Sequence, residues 1–233
     1  MYLCSMQEHH IAVRRSARYY IIGPNDSSAR ELWFVLHGYG QLAEQFIRVF
    51  ETLDDGTRLF IAPEALNRFY TIGVESAPAN ERPVGATWMT REDRDHEIDD
   101  YVTYLDSVAA EVLAAFRARG KMPRVNVLGF SQGTATAGRW VARGTIRPEQ
   151  LVLWGGFLAP EIDLSTPDQP VRRSKLRLAI GNTDKFVSPA RLAEEERRIR
   201  AMGAEYRVIH YVGGHGISRD KLLEVTRELG DGA

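Results

Sequence analysis

Short apolar runs recur along this chain, and each stops at glycine, proline or a polar cluster. Leu32-Trp-Phe-Val-Leu36 ends at His37-Gly38-Tyr39-Gly40, Arg58-Leu-Phe-Ile-Ala62 ends at Pro63, and Val125-Asn-Val-Leu128 ends at Gly129. Leu151-Val-Leu-Trp154, Leu176-Arg-Leu-Ala-Ile180 and Tyr206 to Val212 repeat the pattern toward the C-terminus. Runs this short, with little alternation, read as strands buried on both faces. Ile11 to Ile22 alternates instead and predicts a half-buried antiparallel strand before the turn Gly23-Pro24-Asn25-Asp26.

Helical spacing fills the intervals. Ala43 to Leu53 is one such stretch, and Asp95 to Arg119 carries Ile98, Tyr101, Val102, Leu105, Val108, Val112, Leu113 and Phe116 on one face before Gly120 stops it. Asp93, Asp95, Glu97, Asp99 and Asp100 near its start suit the helix dipole, whereas a metal site needs converging oxygens. Residues 64 to 90 keep no period and read as a loop excursion placed to cover a site. Strand and helix alternate throughout, which predicts an α/β fold with a mostly parallel sheet covered on both faces. At 233 residues, one domain spanning 1–233 is expected.

Composition narrows the partners more than the fold. Hydrophobic content of 44%, charged content of 26% and a net charge of -1 are ordinary for a soluble protein and give no electrostatic case for nucleic acid. The single cysteine, Cys4, excludes an intramolecular disulfide, and without an elbow or helix start around it an inert thiol is expected. No apolar run reaches membrane-spanning length, so no stable membrane insertion is expected. The first ten residues lack a basic segment followed by an apolar one, and the expected location is the cytoplasm. His9 and His10 would point to opposite faces of a strand and make a poor chelate, so no metal is assigned.

The chemistry centres on Gly129-Phe130-Ser131-Gln132-Gly133, between a buried strand and the small-residue stretch Thr134-Ala135-Thr136-Ala137-Gly138. A G-x-S-x-G turn in a strand–turn–helix context is a nucleophile elbow, and its glycines permit the close approach of strand to helix. A small-residue turn of no catalytic role has the same local pattern. Partners for Ser131 must lie beyond the carboxyl ends of other parallel strands, which line one crevice. Asp184 follows the strand ending at Ile180, and His215 follows the last strand in Gly213-Gly-His215-Gly216. An imidazole can take the serine proton and return it to the leaving group, while a carboxylate orients the ring. The order serine, acid, histidine is that of α/β-hydrolases. His37, His96 and His210, and the acids Asp163 and Asp168, are less well placed. The backbone N–H of Gln132 and that of Tyr39 are the expected oxyanion donors.

Leu36-His-Gly-Tyr-Gly40, Gly129-Phe-Ser-Gln-Gly133, Gly181-Asn-Thr-Asp184-Lys-Phe-Val-Ser-Pro189 and Gly213-Gly-His215-Gly216 together resemble the bacterial carboxylesterase and phospholipase family of α/β-hydrolases, which includes acyl-protein thioesterase-like enzymes. The resemblance spans Leu32 to the C-terminus. It implies a serine hydrolase cleaving short to medium acyl esters or thioesters through an acyl-serine, with Ser131, Asp184 and His215 as triad, Tyr39 and Gln132 as oxyanion donors, and no cofactor or metal. The expected partner is a small-molecule acyl ester; the oligomeric state is open, a homodimer included. The chain departs from the family's frequent Leu-Gly-Asp at Tyr39-Gly40-Gln41. Trp88, Phe69, Tyr70, Phe157 and Phe186 are candidate walls of an acyl pocket, against ordinary core packing.

Two other readings compete. Gly38-Tyr39-Gly40-Gln-Leu-Ala43 also fits a G-x-G-x-x-A dinucleotide fingerprint, with Glu64 as ribose ligand, although Glu64 falls late and the elbow is then unexplained. A non-catalytic binding protein on the hydrolase fold is the third.

Overall fold

The computed structural model describes residues 6–26, 28–73 and 75–227. Cys4 lies outside them. In chain order the elements are β1 (Tyr19–Ile22), β2 (Glu31–Leu36), α1 (Ala43–Ile47) continued by a 3-10 turn (Arg48–Leu53), β3 (Arg58–Pro63), β4 (Asn67–Tyr70), β5 (Val84–Thr87) and α2 (Arg94–Ala118). There follow β6 (Arg124–Phe130), α3 (Gln132–Arg143), β7 (Gln150–Trp154), α4 (Pro170–Arg173), β8 (Lys175–Gly181), α5 (Pro189–Ala201), β9 (Tyr206–Tyr211) and α6 (Arg219–Arg227).

The apolar runs pair into a seven-stranded sheet of order β1-β3-β2-β6-β7-β8-β9, parallel except for β1. Period-two geometry sends alternate side chains of β2 to opposite faces. Leu32, Phe34 and Leu36 join the core under α2, α3 and α5, while Trp33 and Val35 join Phe46, Phe50 and Leu53 of the α1 segment and Leu222 and Val225 of α6. Both faces are covered, so all six residues of β2 are buried. No helix of the described residues is long and apolar enough to cross a membrane.

The fold follows the expected α/β-hydrolase pattern, with two corrections. Only Tyr19–Ile22 of the expected strand from Ile11 forms, and Ile11 and Val13 are 87% and 77% exposed. The reason is the partner: Tyr19 already pairs with Pro63, the last residue of β3, and after one more bond, from Glu64 N–H to Arg18 O at 3.0 Å, the ladder ends. The 64–90 segment is not wholly irregular. β4 and β5 form an antiparallel hairpin in register Asn67↔Thr87 to Tyr70↔Val84. Ala86 of the hairpin bridges Gln41 and accepts the N–H of Gly40 at 2.9 Å, so it braces the loop after β2.

Candidate active site

Strand ends position the polar groups. Ser131 follows β6 directly, with φ 54° and ψ -116°, a region that L-residues avoid. Its neighbours leave little choice. A Cβ on Gly129 would lie 2.1 Å from Gly133 O, and one on Gly133 would lie 2.3 Å from Leu36 O. Both contacts are with backbone, which cannot step aside. Ser131 N–H donates to Trp154 O at 2.9 Å, while its carbonyl accepts Thr134 N–H at 3.0 Å and Thr134 Oγ1 at 2.7 Å.

The structure brings Ser131, His215 and Asp184 into one hydrogen-bonded line. Ser131 Oγ lies 2.8 Å from His215 Nε2, and His215 Nδ1 lies 2.8 Å from Asp184 Oδ2. The Asp184 side chain is fully buried, and its other oxygen accepts Phe186 N–H at 2.8 Å. With Nδ1–H donated to the carboxylate, Nε2 is left to accept from the serine hydroxyl. The loop carrying His215 is pinned from below. Trp154 Nε1 donates to Gly216 O and to Tyr211 Oη, and the Tyr211 hydroxyl donates to Gly216 O at 2.6 Å. Burial pushes the Tyr211 hydroxyl up from its ordinary pKa, so it stays a donor at neutral pH.

The donors expected for an oxyanion are the ones left free. Gly40 N–H is bonded to Ala86 O and Gly38 N–H to Gln41 Oε1, whereas those of Tyr39 and Gln132 meet no acceptor among the described residues. The Gln132 side chain is fully engaged: Nε2 donates to Thr87 Oγ1 and Met89 O, both at 2.9 Å, and Oε1 accepts Trp88 N–H at 3.2 Å. This tie between elbow and hairpin exit had no sequence signal, because it joins residues more than 40 positions apart.

The rival residues are occupied elsewhere. His37 is buried, accepts Ala65 N–H at Nε2 and meets Gly38 O at Nδ1; burial lowers its pKa, so it is a neutral structural imidazole. His210 is exposed on β9, Asp163 accepts from Ser165, and Asp168 pairs with Arg173. His10 does find a partner, across the chain: its ring stacks on His96 at 3.9 Å, and both meet Asp93. A metal ion lies in the plane of each imidazole it binds, and rings stacked face to face share no such position. Glu64, the candidate ribose ligand, is 1% exposed and accepts from Arg18 at 2.7 Å, Arg68 at 2.6 Å and Ala43 N–H at 3.3 Å. It closes an internal cluster.

A cavity of about 330 Å³ opens beside Ser131, lined by Gly38, Tyr39, Phe46, Val49, Phe130 and Ile217 among others. None of the five expected aromatic walls lines it. Trp88 is buried core, its Nε1 donating to His37 O at 2.8 Å. Phe69 packs on Tyr39, Tyr70 lies under the Arg82 guanidinium, Phe157 lies under Arg191, and Phe186 stands at the rim, 4.6 Å from the His215 ring. The cavity takes part of its apolar wall from the α1 segment, through Phe46 and Val49, in a stretch whose sequence shows only helical spacing.

A family model described as serine hydrolase (FSH1) matches residues 30–224. The chain belongs to the FSH1 serine hydrolase family. Among curated proteins no significant sequence match is found. Solved structures share the family member's fold at low identity. Zea mays acyl-protein thioesterase 2 is 18% identical with a TM-score of 0.66, over 92% of this chain and 98% of that one. A Mesorhizobium loti carboxylesterase is 17% identical with a TM-score of 0.67, over 93% and 95%. A Dyadobacter fermentans phospholipase/carboxylesterase is 20% identical with a TM-score of 0.62, over 94% and 99%.

Two substitutions test the supports. Gly133→Ala is expected to destabilise by about 2–3 kcal/mol through overpacking against Leu36 O, read from urea unfolding; a stability within error of the parent contradicts the close-approach account. Glu64→Ala removes the buried carboxylate that pairs with Arg18 and Arg68; because those two side chains are 47% and 38% exposed and can be solvated, the expected cost is about 1–2 kcal/mol at pH 7. Burial pushes the Glu64 carboxyl up, but the bonds and charges of Arg18 and Arg68 outweigh it and hold it below its ordinary 4.5. The Glu64 contribution is therefore complete above that pH and is lost as pH falls below it. The stability gap between parent and variant should narrow in acid, and a gap that widens there contradicts the ion pair.

Proposed function

We propose that this serine hydrolase is a carboxylesterase-type enzyme for short to medium acyl esters or thioesters, working through an acyl-serine. The observation that carries the reading is the line Ser131 Oγ, His215, Asp184 with two 2.8 Å links. Ser131 Oγ attacks the acyl carbon while His215 Nε2 takes its proton, and the carbonyl π electrons move onto oxygen. Tyr39 and Gln132 N–H groups receive that oxyanion, a contribution of roughly 3 kcal/mol per donor. On collapse the bond from carbon to the leaving oxygen or sulfur breaks, and the proton passes from Nε2 to the leaving group. Water then repeats the sequence on the acyl-serine, releasing the acid and restoring Ser131. Asp184 holds the imidazole tautomer and stabilises the imidazolium.

The cavity supports the limit on acyl length. At about 330 Å³ it lies at the small end of ligand sites, which run from about 300 to 1,000 Å³. Its apolar lining of Phe46, Val49, Phe130 and Ile217 suits a hydrocarbon chain.

Hydrolysis of p-nitrophenyl butyrate should fall by at least about 10³-fold in Ser131→Ala and in His215→Ala, with circular dichroism unchanged. A fluorophosphonate should label the parent once, at Ser131; turnover surviving in Ser131→Ala rejects the assignment. In a p-nitrophenyl ester series, kcat/KM should peak at butyrate to hexanoate, and Val49→Trp should move the peak to acetate. A peak at long chains in the parent, or an unmoved peak in the variant, rejects the cavity as acyl site.

A further inference from the structure

The imidazole of His215 has two aromatic neighbours: Phe130, at 5.1 Å, lines the cavity, whereas Phe186, at 4.6 Å, does not. Phe186 is 65% exposed, and its backbone is held at both ends. Its N–H donates to Asp184 Oδ1 at 2.8 Å, and its carbonyl accepts Arg191 Nη1 at 3.3 Å. The next residue, Val187, is buried in the core. Asp184 and Val187 thus anchor the loop on either side, and the phenyl ring between them is kept outward, against the catalytic imidazole. The same carboxylate that orients His215 also positions Phe186.

A base that returns its proton to the leaving group must sit within hydrogen-bond reach of that group's oxygen. The substituent on that oxygen therefore passes beside the imidazole. With the acyl chain in the Phe130 cavity, His215 is bordered on one side by a second cavity, of about 360 Å³, walled mainly by the glycine-rich loop 211–218, and on the other by Phe186, the exposed aromatic surface against the ring. We infer that Phe186 is the leaving-group contact and that it selects esters whose departing alcohol carries an aromatic ring, through ring-on-ring packing that also removes the phenyl from water. The inference rests on the serine hydrolase reading and on the cavity as acyl site.

The test compares benzyl butyrate with propyl butyrate, which share the acyl group and have leaving alcohols of similar acidity. In the parent, kcat/KM should favour the benzyl ester by about tenfold, equivalent to about 1.4 kcal/mol. Phe186→Ala should bring the ratio to near unity, mainly through a raised KM for the benzyl ester, and Phe186→Tyr should restore it. A ratio unchanged in Phe186→Ala, including the case where both esters slow equally, overturns the inference and leaves Phe186 as a cover for the triad. Fluorophosphonate labelling separates the two levels. A parent that labels at Ser131 but shows no benzyl preference overturns this inference alone, whereas one that neither labels nor hydrolyses either ester overturns the hydrolase reading with it.

Discussion

The backbone of Ser131 is the constraint on which the site is built. A non-glycine residue at φ 54°, ψ -116° stores of order 1–3 kcal/mol and persists only where its surroundings dictate it. Here the dictation is steric and local. β6 passes into α3 with Gly129 against Gly133, and Gly133 in turn lies against the end of β2 at Leu36. One crossing therefore exposes the hydroxyl, starts a helix at Gln132 with an uncommitted N–H, and sets the elbow against the loop that carries Tyr39. The exposed hydroxyl and the open N–H groups share a cause.

Asp184 and His215 reach the same place through the loops after β8 and β9, which also meet closely: a Cβ on Gly181 would lie 2.5 Å from Gly213 O and 2.6 Å from Gly214 O. Hydrogen bonds behind them add to that constraint. Trp154 and Tyr211, both in the core, hold the carbonyl of Gly216 beside His215, and Asn182 Oδ1 accepts Gly213 N–H at 3.1 Å. A buried phenol whose pKa is pushed up keeps its proton over the working range, so this support does not titrate with the imidazole it steadies.

The meeting of Ser131, His215 and Asp184 is legible in the sequence because each sits just past a buried strand, and glycine or a polar turn marks those strand ends in the chain itself. Ser131, Asp184 and His215 needed only the rule that parallel strands open their carboxyl ends on one crevice. The N-terminal arm was misread because the alternation of an edge strand and that of an exposed arm look alike until the partner's length is known, and Pro63 ends that partner. β4 and β5 are four residues each and joined by a long link, too short for either period to register. The cavity was missed for a further reason. Aromatic residues near strand ends are the walls the chain suggests, whereas Phe46 and Val49 arrive from the helical segment after β2 that packs beside the crevice.

The Gly38-Tyr39-Gly40-Gln-Leu-Ala43 stretch shows how one local pattern serves two chemistries. A dinucleotide fingerprint requires the helix N-terminus after the glycine turn to be open, so that its N–H groups receive a pyrophosphate. In this chain the Ala43 N–H at the start of α1 is taken by Glu64, the Gly40 N–H by Ala86, and the Gly38 N–H by the Gln41 side chain. The protein's own carboxylate thus occupies the place an anionic cofactor would need, and it is itself enclosed by Arg18 and Arg68. Among the described residues Gly38 to Gln41 the turn leaves open one N–H, that of Tyr39, which lines the same cavity as Ser131. A lone donor in that position suits the one oxygen that gains charge during acyl transfer, and it cannot cradle a pyrophosphate.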